Sequence, residues 1–148
     1  MRLARDAGIF DGQDVVGADA ATDDELNLIH SAQYIEKVRK LSDNPTTSDA
    51  SVGLGTADNP VFAHMHEASA LVAGASVEAA RRVWTGQAPR SVNIGGGLHH
   101  AMRDHASGFC IYNDIALAIR WLLDNGAQRV AYVDVDAHHG DGVQSMFY

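Results

Sequence analysis

Apolar positions in the first part of the chain recur with the period of a helix, and later ones gather into short runs bounded by glycine and proline. Thr22-Asp23-Asp24-Glu25 has the form of a capping box, in which a hydroxyl takes up free first-turn amides and a glutamate reaches back; Leu26 and Ile29 follow at helical spacing. A helix is predicted to start there. A second short helix is predicted over residues 32–41, where Tyr34, Ile35, Val38 and Leu41 repeat every three to four positions, and the polar run 42–51, with Pro45, reads as a surface loop. Asp58-Asn59-Pro60 opens an alanine-rich stretch, 61–84, whose small residues (among them Ala70, Ala73 and Ala80) predict a long, largely buried helix packed close to its neighbour. Residues 1–9 read as part of a helix.

The later pattern is different. After Pro89 comes a short apolar run, 91–94, closed by three glycines; residues 115–123 read as a helix stopped at Asn125-Gly126, and 129–136 as a buried strand. Strand, loop, helix, strand is the order of an α/β protein with a parallel sheet, in which ligands bind beyond the carboxyl ends of the strands. Two polar clusters fall at those ends. No internal repeat or low-complexity segment interrupts the chain.

Composition narrows the class. With 148 residues, 46% hydrophobic and 20% charged, the chain has the profile of one modest soluble globular domain. Its net charge of -8, with Lys37, Arg39, Lys40, Arg81 and Arg82 scattered on predicted helix surfaces, gives no support to nucleic-acid binding and suits a cationic partner such as a lysine-rich tail or a polyamine. Cys110 has no cysteine to pair with, no secretory leader is apparent and no stretch nears a membrane span, so a cytoplasmic protein is expected.

The acidic cluster places Asp134, Asp136 and His138 at alternate positions, so an extended backbone through Ala137 would project all three to one face. Carboxylates on a buried strand need protonation, an ion pair or a metal, and no Lys or Arg lies close by in sequence. An Asp-x-His pair offers an oxygen and a nitrogen suited to Zn²⁺ and acceptable to Mn²⁺ or Fe²⁺. A polar loop with a satisfied histidine is the competing reading. The second cluster, Gly95-Gly96-Gly97-Leu98-His99-His100, turns sharply off its strand and sets two histidines at the mouth of the sheet. A phosphate cradle would need a following lysine, which is missing. A solvated pair of loop histidines is open; so is an acid–base pair beside a metal, with Asp134 and Asp141 as orienting carboxylates. His30, His64 and His66 read as surface or packing residues. Phe109 fits either an apolar channel or the core, and Cys110 reads as a small buried apolar residue.

Gly96-Gly97-Leu98-His99-His100-Ala101, Ser107-Gly108-Phe109-Cys110, Asn113-Asp114 and Asp134-Val135-Asp136-Ala137-His138-His139-Gly140-Asp141-Gly142 resemble, in order and spacing, the histone deacetylase family, including bacterial acetoin-utilisation-type deacetylases. The likeness extends to Asp58-Asn59-Pro60-Val61-Phe62 and the capped helix at Thr22, so it covers nearly the whole chain. It implies an arginase/deacetylase α/β fold, a three-layer parallel sheet with flanking helices. It implies Asp136 and His138 as two of three zinc ligands, with Fe²⁺ an alternative, and water attacking an acetyl carbonyl. By matching position, His99 would pair with Asp134 and His100 with Asp141, His100 being the main general base and acid and His99 an electrostatic support. Gly108 and Phe109 would line the acyl-lysine channel, and Asp58 would hold substrate amides at the rim. Potassium would sit on oxygens of Asp134 and Asp136 and the carbonyl of His138.

Members of the family are considerably longer, with a further aspartate ligand and a carbonyl-polarising tyrosine that would follow later; Tyr148 lies too close to the metal strand to match it. Residues 1–148 are therefore expected to form one partial deacetylase domain, truncated at the C-terminus and also at the N-terminus, poorly active alone. Three functions are carried forward: an amide hydrolase acting on acetyl-lysine in proteins or on an acetylated polyamine; a ureohydrolase of the same fold with two manganese ions, against which the tandem histidines argue; and a non-catalytic metal-binding or interaction module.

Overall fold

The computed structural model describes residues 2–148. Six helices follow in chain order: α1 (Arg2–Asp6), α2 (Asp23–Leu26), α3 (Ala32–Asp43), α4 (Met65–Trp84), α5 (Asp114–Asp124) and α6 (Asp141–Phe147), with a 3₁₀ turn at Ala50–Val52. Of the helix predicted over residues 1–9, Met1 lies outside the described residues, and α1 gives way to turns after Asp6. The capping box forms as its sequence requires: the Thr22 hydroxyl accepts from Glu25 N at 3.2 Å, and Glu25 returns a carboxylate oxygen to Thr22 N at 2.8 Å. Ser31 caps α3 and Asn113 caps α5, each side chain accepting an amide three residues on.

The apolar face of α3, Tyr34, Ile35, Val38 and Leu41, is buried with Ala70, Ala73 and Val77 of α4 and Ala116 and Leu117 of α5 in one core. The small residues of α4 do more than admit a helix. A Cβ on Gly74 would lie 2.1 Å from the carbonyl oxygen of Asp19, because the segment leading into α2 crosses there and Ala21 N donates to Ala70 O. Only one face of α4 is buried, however; Leu71, Val83 and Trp84 are exposed, so the expectation of a largely buried helix holds for that face alone. His30, Tyr34, His66 and Tyr112 form a buried ring cluster.

The two predicted strands are not paired. Among the described residues the β-structure consists of two isolated bridges, Asp49 with Leu54 and Ser107 with Cys110. Residues 91–94 and 129–135 carry no ladder, and Val92, Ile94, Val133 and Val135 are exposed, Val135 to 95%. A strand is defined by its neighbours' hydrogen bonds, and the helices bury these segments on too little of their surface to hide their valines. No described helix is long and apolar enough to cross a membrane.

Candidate functional site

The site forms where the glycine loop, the segment before α6 and the first turn of α6 meet. Asn93 pins the start of the loop: its Oδ1 accepts from Gly95 N at 3.1 Å, and its Nδ2 donates to Val72 O at 3.0 Å and Ser76 Oγ at 2.9 Å on α4. A Cβ on Gly96 would stand 2.3 Å from Asp114 Oδ2, and Gly97 adopts a φ of 99°, so neither place admits another residue without strain.

The loop delivers the histidines to carboxylates far along the chain. His99, buried, has its Nδ1 2.7 Å from Asp134 Oδ2, and His100 Nδ1 lies 2.6 Å from Asp141 Oδ1. An ionised carboxylate only accepts, so the proton of each neutral ring sits on Nδ1 and the Nε2 lone pair is left free for chemistry. The two rings are 4.2 Å apart between centroids, and His138 lies 6.0 Å beyond His100. The acidic segment and the tandem imidazoles thus share one place.

Asp134 is held by more than its histidine. The Tyr132 hydroxyl donates to its Oδ2, and Asp136 N donates to its Oδ1 at 2.9 Å. The Tyr132 bond first and then the His99 bond hold the Asp134 carboxyl well below the usual range, while burial and the neighbouring carboxylate push the Tyr132 hydroxyl up. For Asp141 partial burial pushes upward, but the bonds from His100 and from Gly142 N outweigh it and its pKa falls. The Asp136 carboxyl is lowered chiefly by the amide of His138.

Extended geometry does not persist through Ala137. The backbone bends at residues 136–138, each aspartate accepting the amide two residues on: Asp136 N to Asp134, and His138 N to Asp136 at 2.7 Å. Asp136 and His138 come together through that bend and not through strand alternation. Asp136 Oδ1 and His138 Nδ1 are 3.2 Å apart. That contact is a hydrogen bond when Nδ1 carries the proton; two donors on a tetrahedral zinc, each roughly 2.0–2.1 Å from the ion, would stand about 3.3 Å apart, a separation the pair also meets. Among the described residues no group of three or more His, Cys, Asp or Glu side chains is arranged so that it could hold a metal ion. His139 turns instead to Gln144 on α6.

Gly108, with a φ of 50°, lies so close to His100 that a Cβ would be 2.5 Å from its Cδ2. Phe109 beside it has a φ of 67° and is 74% exposed, so it is not a core residue. Asp58 is exposed in the loop 53–59, which follows the 3₁₀ turn whose Val52 O accepts from Ala106 N at 2.9 Å; no described contact ties its carboxylate to the histidine pair. Cys110 is buried and unpaired, and burial pushes its thiol up, as for an inert packing residue. His30 and His66 are buried and His64 is exposed, as packing and surface residues.

The histone deacetylase domain model matches residues 1–148. The chain belongs to the histone deacetylase family. Acetoin utilization protein AcuC of Bacillus subtilis (strain 168) is 48% identical over 148 residues, a match covering 99% of this chain and 38% of that protein. AcuC of Staphylococcus aureus (strain MRSA252) is 42% identical over the same shares of the two chains. Among solved structures, an HDAC homolog from Aquifex aeolicus and an HDAC homolog complexed with SAHA each match with a TM-score of 0.84 and 32% identity, covering 99% of this chain and 40% of theirs. This histone deacetylase domain therefore spans about two fifths of the length of the relatives it matches.

Sequence reading did not single out Tyr132, Asn93, Ser76 or the structural work of Asn113 and Asp114. Only Asn113-Asp114 had a usable signal, an Asn-Asp pair directly before an apolar helix. Besides the bond from Gly95 N to Asn93, Asn93 and Ser76 act through contacts across 17 or more residues, and Tyr132 stands in an apolar run that suggested packing.

Proposed function

We propose that this histone deacetylase domain contributes the acid–base side of a metal-dependent amide hydrolase that removes acetyl groups from acylated amines. The observation that carries the reading is the pair of short His–Asp contacts, His99 with Asp134 and His100 with Asp141, beside an Asp136–His138 pair at zinc-ligand spacing.

In this reading His100 is the general base and acid. With Nδ1–H fixed by Asp141, its Nε2 takes a proton from the attacking water and later gives it to the leaving amine nitrogen. His99, fixed by Asp134, supports the positive charge that appears on its neighbour. Gly108 forms one wall of the acyl channel against the edge of His100, exposed Phe109 grips the acyl-lysine stem, and Asp58 holds substrate amides at the rim. Asp136 and His138 would hold zinc, or Fe²⁺ in its place; when bound, the ion supplies a Lewis acid that polarises water and the acetyl carbonyl. Potassium would sit on oxygens of Asp134 and Asp136 with the His138 carbonyl.

The substrate class is acetyl-lysine in proteins or an acetylated polyamine, carried in the cytoplasm, with no direct nucleic-acid contact; the acidic net charge of -8 supports a cationic carrier. In the longer proteins of the family, residues 91–94 and 129–135 would be strands of a three-layer parallel sheet of the arginase/deacetylase type, which accounts for their exposed valines. A second reading, a non-catalytic module with a partial metal site, is favoured by the lack of a third convergent ligand among the described residues.

Acetate release from an acetyl-lysine peptide, measured with zinc content and with arginine as a control substrate, tests the proposal. Slow, zinc-dependent release that a hydroxamate stops is the expected result. Urea from arginine, or acetate release indifferent to zinc and to a chelator, would overturn it; zinc binding with no acetate at all would leave the non-catalytic reading standing alone.

A further inference from the structure

Helix α5 begins with two buried polar residues whose side chains turn back toward the histidine loop. Asp114, 1% exposed, accepts from Gly97 N at 3.1 Å, from Leu98 N at 2.8 Å, and from Ser76 Oγ on α4 at 2.5 Å. Two successive backbone amides form a concavity that favours an anion, and here the anion comes from the protein itself. Asn113 grips the other side of the pair: its Nδ2 donates to His99 O at 3.3 Å and to Ala101 O at 3.0 Å, and its Oδ1 caps α5 at Ala116 N. The backbone of residues 97–101 is thus held on both flanks of His99-His100 by one dipeptide.

A carboxylate removed from water is costly unless donors surround it, and all of the hydrogen-bond donors described for Asp114 are neutral. A surface carboxylate could cap α5 without that cost. The burial is accounted for if the group must sit where it reaches Gly97 and Leu98. Gly96 completes the fit, since a Cβ there would be 2.9 Å from Ser76 Oγ as well as 2.3 Å from Asp114 Oδ2.

We propose that Asp114, together with Asn113 and backed by Ser76, is a positioning residue that aims the imidazoles of His99 and His100 at their carboxylate partners. It acts through the backbone of the loop and touches no substrate. The inference rests on reading His99-His100 as the acid–base pair.

The test uses the 148-residue protein and imidazole nitrogen NMR at neutral pH. In the parent, both rings should show Nδ1–H tautomers bonded to carboxylates. In Asp114→Ala, the His99 and His100 signals should move toward mixed tautomers, and the Gly97 and Leu98 amides should exchange with solvent about tenfold faster or more, as loss of a bond to a charged group implies. Asp114→Asn keeps one acceptor oxygen for those amides and should restore most of the parental ring signals. A residue that merely capped α5 would disturb the amides of α5 and leave the imidazoles alone. Ser76→Ala, a milder change, should shift the same ring signals in the same direction by less, and it decides the matter alone if Asp114→Ala does not fold. Imidazole signals unmoved in a folded Asp114→Ala or Ser76→Ala protein would overturn the proposal. Because this readout uses neither zinc nor substrate, displaced rings without any deacetylation would defeat the functional reading and spare this one.

Discussion

His100 reaches Asp141 at 2.6 Å across 41 residues of sequence, from a glycine loop to the first turn of a helix. The contact fixes which ring nitrogen carries the proton and which is left to work. Where turnover of an acetylated substrate is measurable, His100→Ala should lower kcat by about a hundred- to ten-thousandfold, the range typical of a lost general acid–base, with zinc content unchanged. His99→Ala should cost less. Equal losses for the two variants would show that the roles are not divided as assigned.

Asp136 and His138 together should bind zinc weakly. A catalytic zinc ordinarily takes three protein ligands and an open position, and two are at hand among the described residues. After dialysis against excess zinc and then buffer, the metal content of the 148-residue protein should fall short of one ion per chain, and His138→Ala should remove what is left. A full equivalent retained through dialysis, or turnover at rates ordinary for an enzyme, on the order of 10 s⁻¹, would show the site to be more complete than this.

How much of this was legible beforehand follows from which contacts are local. The capping box at Thr22, the α3 stripe and the stop at Asn125 are written within a few residues of where they act, and they form as the pattern predicts. The polar clusters were also legible, because the glycines, the tandem histidines and the Asp-x-His segment each stand within a few residues of one another in the chain. Strand pairing was not: residues 91–94 and 129–135 read as strands from their apolar runs, but they carry no ladder in the structure, and a ladder depends on neighbours that a local pattern cannot supply. The bend at 136–138 was missed for a simpler reason: aspartate side chains compete for the amides that a strand would use.

His30 should make the fold sensitive to acid. Its Nδ1–H donates to Met102 O at 2.9 Å and its Nε2 accepts from Asn113 N at 3.0 Å, so a second proton would set a donor against a donor. Burial lowers its pKa from 6.5 to about 4. The unfolded chain therefore takes up this proton first, and the stability His30 contributes is complete above about pH 6.5 and lost as pH falls toward 4, on the order of 3 kcal/mol. Thermal denaturation between pH 4 and 8 should show that slope. His30→Phe should be less stable at pH 7 and flatter across the window; an unchanged slope would assign the acid sensitivity elsewhere.

Gly142 should not tolerate alanine. A Cβ there would lie 2.5 Å from the carbonyl oxygens of both His99 and Ala101, where Val143 N also donates to His99 O at 3.2 Å. Gly142→Ala should lower stability by about 1–3 kcal/mol in denaturant titrations and break the contact between His100 and Asp141 as α6 moves away. A variant as stable as the parent, with its imidazole signals unmoved, would mean that α6 can shift without disturbing the pair.

Both imidazoles of the pair are translated before either of their carboxylates, which lie 35 and 41 residues further on. During synthesis the glycine loop, α4 and α5 can therefore come together while the histidines still lack the groups that set their proton positions. Until the segment before α6 and the first turn of α6 have been made, neither ring has the carboxylate that sets its proton position.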